Sequence, residues 1–274
     1  MLTAEEEGGQ LKCHPYWSQR DYGAFRLKPL SEKKVSLDPK QHRTPAERRD
    51  SGRRRAMTAA EAAPPTPTEQ PHVIVRKFTL SHTAYPFLPM REITQIHYSS
   101  WPDFGAPASA SQLLSLVELS NQMQRAASSA TQSPRSSDPE DDENTRPMLV
   151  HCSAGCGRTG TFCTVDSIID MLKRQRKEAR SGVTPMDVVT SSEDGDYMGK
   201  RKEAGEVDGS WIFDRDLDLV QKTVEDFRGQ RLSMVQSLRQ FVLCYETVLE
   251  WMAQQYGRHH QRSGSHAGVI ERSA

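Results

Sequence analysis

Apolar residues gather in short runs along the 274 residues and are separated by long polar stretches. His72-Val73-Ile74-Val75-Arg76-Lys77-Phe78-Thr79-Leu80 and Glu92-Ile93-Thr94-Gln95-Ile96-His97-Tyr98 are β-branched, partly alternating and bounded by Pro or Ser, which predicts two strands. Met148-Leu149-Val150 is a shorter apolar run of the same kind. Helical spacing takes over elsewhere. After Ser109-Ala110-Ser111 come Leu113, Leu114, Leu116, Val117 and Leu119, an apolar stripe that predicts a helix packed on a sheet. Thr161 to about Arg180 forms a second such pattern, ending in Lys173-Arg174-Gln175-Arg176-Lys177, cations suited to the negative end of a helix dipole. Leu217, Leu219, Val220, Val224 and Phe227 mark a third, and Val242 to about Tyr256 a closing one. Strands interleaved with helices predict an α/β class.

The polar stretches predict insertions. Residues 31–70 carry Lys33-Lys34, Arg43, Arg48-Arg49, Arg53-Arg54-Arg55 and Ala63-Pro64-Pro65-Thr66-Pro67 with almost no apolar period. A solvated basic run suffices to explain the arginines; a nuclear address or an acidic-partner patch is the sharper alternative. Residues 125–146 hold the acidic run Asp138-Pro139-Glu140-Asp141-Asp142-Glu143, and 181–210 are rich in Gly, Ser, Asp and Glu. The chain therefore reads as a single domain over 1–258 with three insertions and a disordered tail at 259–274.

Composition narrows the class. Apolar residues make up 35%, 16 prolines and 17 glycines are present, and the mean hydropathy is −0.70, all consistent with much solvated loop. Acidic and basic residues balance at 36 each, which argues against a general binder of nucleic acid or membrane surface. Five cysteines, an odd number, without a secretory signal, indicate a reducing compartment. Cytoplasm is the expected location, with the nucleus possible. No apolar run reaches the length of a membrane span.

The candidate chemistry lies at Val150-His151-Cys152-Ser153-Ala154-Gly155-Cys156-Gly157-Arg158-Thr159-Gly160, which predicts strand, tight loop and helix. Gly155 and Gly157 let successive backbone N–H groups turn inward, and the following helix aims its positive end at the same point. Residues 153–157 thus form a cradle for a tetrahedral anion. Cys152 stands where those dipoles and the Arg158 charge favour thiolate, the nucleophilic form. The planar guanidinium of Arg158 can grip two phosphoryl oxygens. A zinc reading is weak: His151 and Cys152 are adjacent, Cys156 and Cys163 lack paired ligand spacing, and a cation stands at 158. Neither metal nor cofactor is expected.

H-C-S-A-G-C-G-R-T-G resembles the signature loop of the classical, cysteine-based protein tyrosine phosphatases. Trp101-Pro102-Asp103-Phe104-Gly105-Ala106-Pro107, a loop with defined hinges, resembles that family's general-acid loop. Glu5-Glu6-Glu7-Gly8-Gly9 leading into Leu11-Lys12-Cys13-His14-Pro15-Tyr16-Trp17 resembles its acidic, glycine-containing segment, with Met1-Leu2-Thr3 at the end of a central strand. Phe227 to Phe241 resembles its R-x-x-R-x-x-M-V-Q-x-x-x-Q segment. The resemblance implies a phosphatase-like α/β fold, with a central twisted mixed sheet flanked by helices, acting on phosphotyrosine-containing proteins.

It also implies roles. Cys152 would attack phosphorus, Arg158 and the loop amides of Ser153, Ala154, Gly155, Cys156 and Gly157 would hold the oxygens, and Asp103 would serve as acid and then base. Thr159 would donate to the departing thiolate, and His151 would steady it through the loop backbone. Gln236 would position water and Gln240 would support the phosphate, the two lying four apart on one helix face. Glu7 would orient Arg158, Lys12 would approach the acid loop, and Trp101 would support it. Cys156 replaces an aliphatic residue and could pack or trap an oxidised Cys152. The family's N-terminal third, including the loop whose aromatic residue stacks on phosphotyrosine, has no match here, which leads one to expect an exposed sheet edge and apolar face. A phosphotyrosine-binding or inert module is the competing reading; a dual-specificity or lipid phosphatase fits the Trp-Pro-Asp and glutamine segments less well.

Overall fold

The computed structural model describes residues 1–18, 20–38, 71–127, 146–181 and 216–270. Two short strands, β1 (Glu6–Glu7) and β2 (Gln10–Leu11), form a small hairpin near the start. A four-stranded sheet follows in the order β3 (Asp21–Tyr22), β4 (Phe25–Ser36), β5 (His72–His82) and β6 (Arg91–His97). The two predicted strands are β5 and β6, in register with Val75 opposite Ile96. The α/β class expected from the sequence holds, but every ladder recorded in the sheet is antiparallel, where a mixed sheet was expected. Met148–Val150 form no strand. The segment after them is tied to the chain's first residues by one bond, from Leu2 N to His151 O (2.8 Å). Met1 and Tyr98 are joined in turn, Tyr98 N donating to Met1 O (2.9 Å), so residues 1–3 run between the end of β6 and the cysteine loop.

The basic insertion begins later than its composition suggests. Ser31–Ser36 continue β4 because Lys33 and Lys34 lie on an exposed strand, where charged side chains are tolerated. The register shifts between Pro29 and Ser31, at a proline that cannot donate to a ladder. β4 and β5 pair as far as Ser36 and His72, and Leu37 N donates to Pro71 O (2.9 Å), so the chain leaves and returns at neighbouring points. Residues 39–70, 128–145 and 182–215, with the arginine cluster and the acidic run, lie outside the described residues.

Among the described residues four helices cover the sheet and each other: α1 (Ala110–Ala127), α2 (Gly157–Ser181), α3 (Leu219–Gln230) and α4 (Leu238–Ile270). α1 runs three residues into the stretch read as an insertion, and α4 continues through Ile270 where a disordered tail was expected. Once a helix is nucleated by packing, propagation costs little per residue. The predicted stripe of α1 is the buried one, Leu113, Leu114, Leu116 and Val117. These residues share one core with Val73 and Val75 of the sheet, Phe162, Val165, Ile168 and Ile169 of α2, Val224 of α3, and Leu243, Val248 and Trp251 of α4. Asp218 caps α3, its carboxylate accepting from Val220 N and Gln221 N.

The core sets α2 hard against the turn before α4. A Cβ on Gly160 would lie 2.6 Å from Val235 N and 3.2 Å from the Met234 carbonyl carbon, so only glycine admits this approach. Gly160→Ala should therefore destabilise the fold by about 1–3 kcal/mol, read as a lower urea midpoint, in spite of alanine's better helix propensity. A raised midpoint would show that the two segments are not packed in this way.

Candidate active site

The cysteine loop is built by conformation. Gly155 takes a positive φ of 71°, and α2 begins at Gly157, so its first turn points at the loop. Cys152 is buried, and its thiol has a pKa lowered from the usual 9.0: burial alone would raise it, but the Thr159 hydroxyl and the backbone N–H groups of Thr159, Cys156 and Gly155 outweigh that. The Thr159 hydroxyl is buried with no hydrogen-bond partner among the described residues, and it lies near enough to the Cys152 sulfur to favour the thiolate. Two other cysteines in and near the core move the opposite way because burial dominates: it pushes Cys163 up to about 11 and Cys244 up to about 12.

Arg158 is 1% exposed and fully engaged. Its Nη1 donates to Glu7 Oε1 (2.5 Å) and to Trp101 O (2.8 Å), and its Nη2 to Asp103 Oδ1 (3.2 Å). Glu7 bridges further, Oε2 accepting from Asp103 N (3.1 Å) and Oε1 from the Thr3 hydroxyl (3.2 Å). Lys12 Nζ donates to Asp103 Oδ2 (3.0 Å). Three distant segments thus meet at Arg158 and Asp103. That loop is anchored by the buried Trp101, whose indole N–H donates to Gly105 O (2.9 Å). Phe104 has a positive φ of 55°, a strained conformation for an aromatic residue.

His151 links the loop to the sheet. Its Nδ1 lies 3.2 Å from Cys152 O and its Nε2 2.9 Å from Tyr16 Oη. A carbonyl only accepts, so Nδ1 carries the proton and Nε2 accepts from the Tyr16 hydroxyl. Tyr16 Oη in turn accepts from Gln95 Nε2 (2.9 Å), and Gln95 Oε1 from Arg76 Nη1 (3.1 Å). Burial holds the His151 pKa below its usual 6.5, so the ring is neutral at pH 7.

The glutamines depart from expectation. Gln236 is not on a helix face with Gln240: Ser233 and Val235 adopt left-handed backbone (φ 64° and 57°), and α4 starts only at Leu238. Gln236 still reaches the loop, since a Cβ on Gly157 would lie 2.9 Å from its Oε1. Gln240 is buried, and its Oε1 accepts from Gln236 N (3.0 Å) and Ser237 N (3.3 Å), while Gln240 N donates to Ser237 Oγ (3.2 Å). That is a capping box on α4. The Ser237 hydroxyl donates to Phe104 O (3.0 Å) and Gln240 Nε2 to Gly105 O (3.4 Å), so the same cap ties down the acid loop.

Two arginines without an assigned role also matter. Arg228 Nε and Nη2 donate to Met234 O (2.9 Å) and Val235 O (2.8 Å), holding the left-handed turn. Arg231 Nη2 donates to Ala154 O (2.9 Å), and its Nε lies 3.5 Å from Cys156 Sγ, so Cys156 packs against a cation. The R-x-x-R spacing was the available signal, as S-x-x-Q was for the cap.

With this geometry in view, comparison with known proteins is direct. Residues 1–193 match the protein-tyrosine phosphatase family, and the chain belongs to it. It is 41% identical over 179 residues to human tyrosine-protein phosphatase non-receptor type 18, covering 64% of this chain and 27% of that protein. It is 25% identical over 252 residues to human tyrosine-protein phosphatase non-receptor type 9, covering 92% of this chain and 30% of that protein. Tyrosine-protein phosphatase 2 of Saccharomyces cerevisiae is 35% identical over 115 residues, 42% of this chain and 12% of the relative. The chain thus spans under a third of the length of these relatives. The glutamine segment lies beyond the residues that match the family. Among the described residues no helix is long and apolar enough to cross a membrane.

Glu7 gives the site a pH dependence. Burial raises its pKa, but the Arg158 hydrogen bond and charge, the Asp103 N–H and the Thr3 hydroxyl outweigh that and hold it below the usual 4.5. A lowered folded-state pKa stabilises the fold above the unfolded value, and that stability is lost as pH falls through the folded value. Glu7→Gln should be less stable than the parent at pH 7 in urea titrations, with the gap closing below pH 4.5. A gap independent of pH would show that the carboxylate is not what Arg158 holds.

Proposed function

We propose that this chain hydrolyses phosphotyrosine in proteins through a cysteinyl-phosphate intermediate. The observation that carries the reading is the set of N–H groups from Gly155, Cys156 and Thr159 that serve the Cys152 sulfur and lower its pKa, beside the loop that Arg158 ties to Glu7 and Asp103. The Cys152 thiolate attacks phosphorus in line, and the bond from phosphorus to the tyrosyl oxygen breaks. Asp103, entering protonated, transfers its proton to that oxygen so that a neutral phenol leaves. The equatorial oxygens are held by the N–H groups of residues 153–157 and by Arg158, whose present bond to Asp103 is exchanged for one to the phosphoryl group. Water placed by Gln236 then attacks phosphorus and gives its proton to the Asp103 carboxylate. The sulfur–phosphorus bond breaks, inorganic phosphate leaves, and the Thr159 hydroxyl stabilises the returning thiolate.

Gln240 acts here by placement rather than by contact with phosphate, through the cap that joins α4 to the acid loop. His151 remains neutral and steadies the Cys152 carbonyl; it is not the base. A reducing compartment, cytoplasm or nucleus, suits a thiolate nucleophile, and all five cysteines are free.

A second reading has one observation in its favour: Glu7, Trp101 and Asp103 already occupy the Arg158 guanidinium, and without that exchange phosphotyrosine would be held by the loop N–H groups alone and not turned over. Hydrolysis of a small aryl phosphate separates the two. Cys152→Ser should abolish turnover, and Asp103→Ala should lower kcat by about 10²–10⁴ while leaving the thiolate in place. Equal rates for the parent and Cys152→Ser would remove the enzyme reading and leave binding.

A further inference from the structure

Arg76 is a buried charge to which the reaction scheme gives no part. It lies on β5, 8% exposed, on the sheet face opposite to the core residues Val73 and Val75. Strand register places it between Glu32 of β4 and Gln95 of β6, so three polar residues form one row across the sheet. Its Nε donates to Glu32 Oε2 (2.6 Å), and its Cζ sits 4.7 Å from the centroid of the Trp17 ring. Its Nη1 donates to two acceptors of β6 at once, Gln95 Oε1 (3.1 Å) and His97 Nδ1 (3.1 Å). An ion pair kept only for stability is complete with Glu32. The Nη1 contacts go instead to two buried, uncharged side chains, each of which leads to a different part of the site.

An arginine only donates, so each neighbour is forced into one orientation. Gln95 presents its oxygen to Arg76 and therefore its amide N–H to Tyr16 Oη (2.9 Å). That directs the Tyr16 hydroxyl proton at His151 Nε2, and His151 donates from Nδ1 to Cys152 O. His97 accepts at Nδ1 and so carries its proton on Nε2, which donates to Thr3 O (2.9 Å). Burial, helped by the Arg76 charge, lowers the His97 pKa to about 4 and keeps that ring neutral. The Thr3 hydroxyl in turn donates to Glu7, the carboxylate that holds Arg158. Two arms thus leave one guanidinium, one ending on the backbone of the nucleophile and the other on the partner of Arg158.

We propose that Arg76 and Gln95 are positioning residues for the hydrolysis: they hold His151 as the tautomer that donates to Cys152 O, and they set Glu7 against Arg158 through His97 and Thr3. The role rests on the phosphatase reading of Cys152 and Arg158.

Gln95→Glu tests the first arm at nearly constant volume. A carboxylate keeps the contact with Arg76 but has no N–H for Tyr16, so the Tyr16 hydroxyl turns to it and His151 donates from Nε2 to Tyr16, leaving Nδ1 bare. Nitrogen NMR shifts of the full chain near neutral pH should show His151 protonated at Nδ1 in the parent and at Nε2 in Gln95→Glu, with an unchanged circular dichroism spectrum. The pH midpoint for alkylation of Cys152 by iodoacetamide should rise by about 0.5–1 unit, one hydrogen bond expressed as a thiol pKa. Gln95→Met, which adds no charge, should raise it too, by less. Arg76→Lys, which cannot serve Glu32, Gln95 and His97 together, should lower kcat/KM for a small aryl phosphate about tenfold, the size of one to two hydrogen bonds. His151 still protonated at Nδ1 in Gln95→Glu, with the Gln95→Met midpoint unmoved, would overturn the first arm, and an unchanged kcat/KM in Arg76→Lys would overturn the role of Arg76. Neither the NMR nor the alkylation needs turnover. A parent that hydrolyses no aryl phosphate would therefore refute the proposed function, while those two readouts would still decide whether Gln95 positions His151.

Discussion

The buried guanidinium of Arg158 is the constraint on which the rest of this structure turns. A charge with almost no access to water must be compensated by groups fixed around it, and here three groups come from two distant parts of the chain: the Glu7 carboxylate, and the Trp101 carbonyl and Asp103 carboxylate of one loop. Each then acquires an orientation it would not have alone. Glu7 holds the acid loop by a second oxygen on Asp103 N, and Trp101 is locked by its own bond to Gly105. Removing Arg158 would therefore unsettle the acid, the loop that carries it and the N-terminal hairpin together.

Around that centre, the site depends on glycines and carbonyls as much as on the groups that react. Gly157 admits the two glutamines against the start of α2, and Gly160 admits residues 234–235. The His151, Tyr16 and Gln95 chain sets a direction of proton donation from the sheet into the Cys152 carbonyl, which keeps the imidazole neutral and available as a fixed donor. The cap of α4 does two things with one pair of side chains, ending the left-handed turn and pinning the acid loop.

Much of this was legible from the sequence. The cysteine loop, the Trp-Pro-Asp loop and the Glu7 and Lys12 segment were found as separate stretches, and the structure brings them within hydrogen-bonding distance of one another. Strand and helix periods located β5, β6, α1 and α2 to within a few residues. What escaped had physical causes. Composition made Ser31–Ser36 read as part of an insertion because charged residues dominate it, although β4, unpaired on its β3 side beyond Arg26 among the described residues, tolerates them there. A four-residue spacing suggested one helix face for Gln236 and Gln240, but spacing cannot reveal the positive φ at Ser233 and Val235. The exposed apolar residues of α4, Leu238, Val242, Leu249 and Met252, were missed for a different reason: a period of 3.6 reports an apolar stripe without saying which stripe meets the core.

The account stands or falls on the ionisation of one sulfur. Alkylation by iodoacetamide, followed residue by residue by mass spectrometry across pH, measures it directly, with Cys163 and Cys244 as internal controls. Cys152 should react with a midpoint below 9.0, while Cys163 and Cys244 stay inert until the solution is far more alkaline. A Cys152 midpoint at or above 9.0 would contradict the claim that the loop amides and the Thr159 hydroxyl hold a thiolate there.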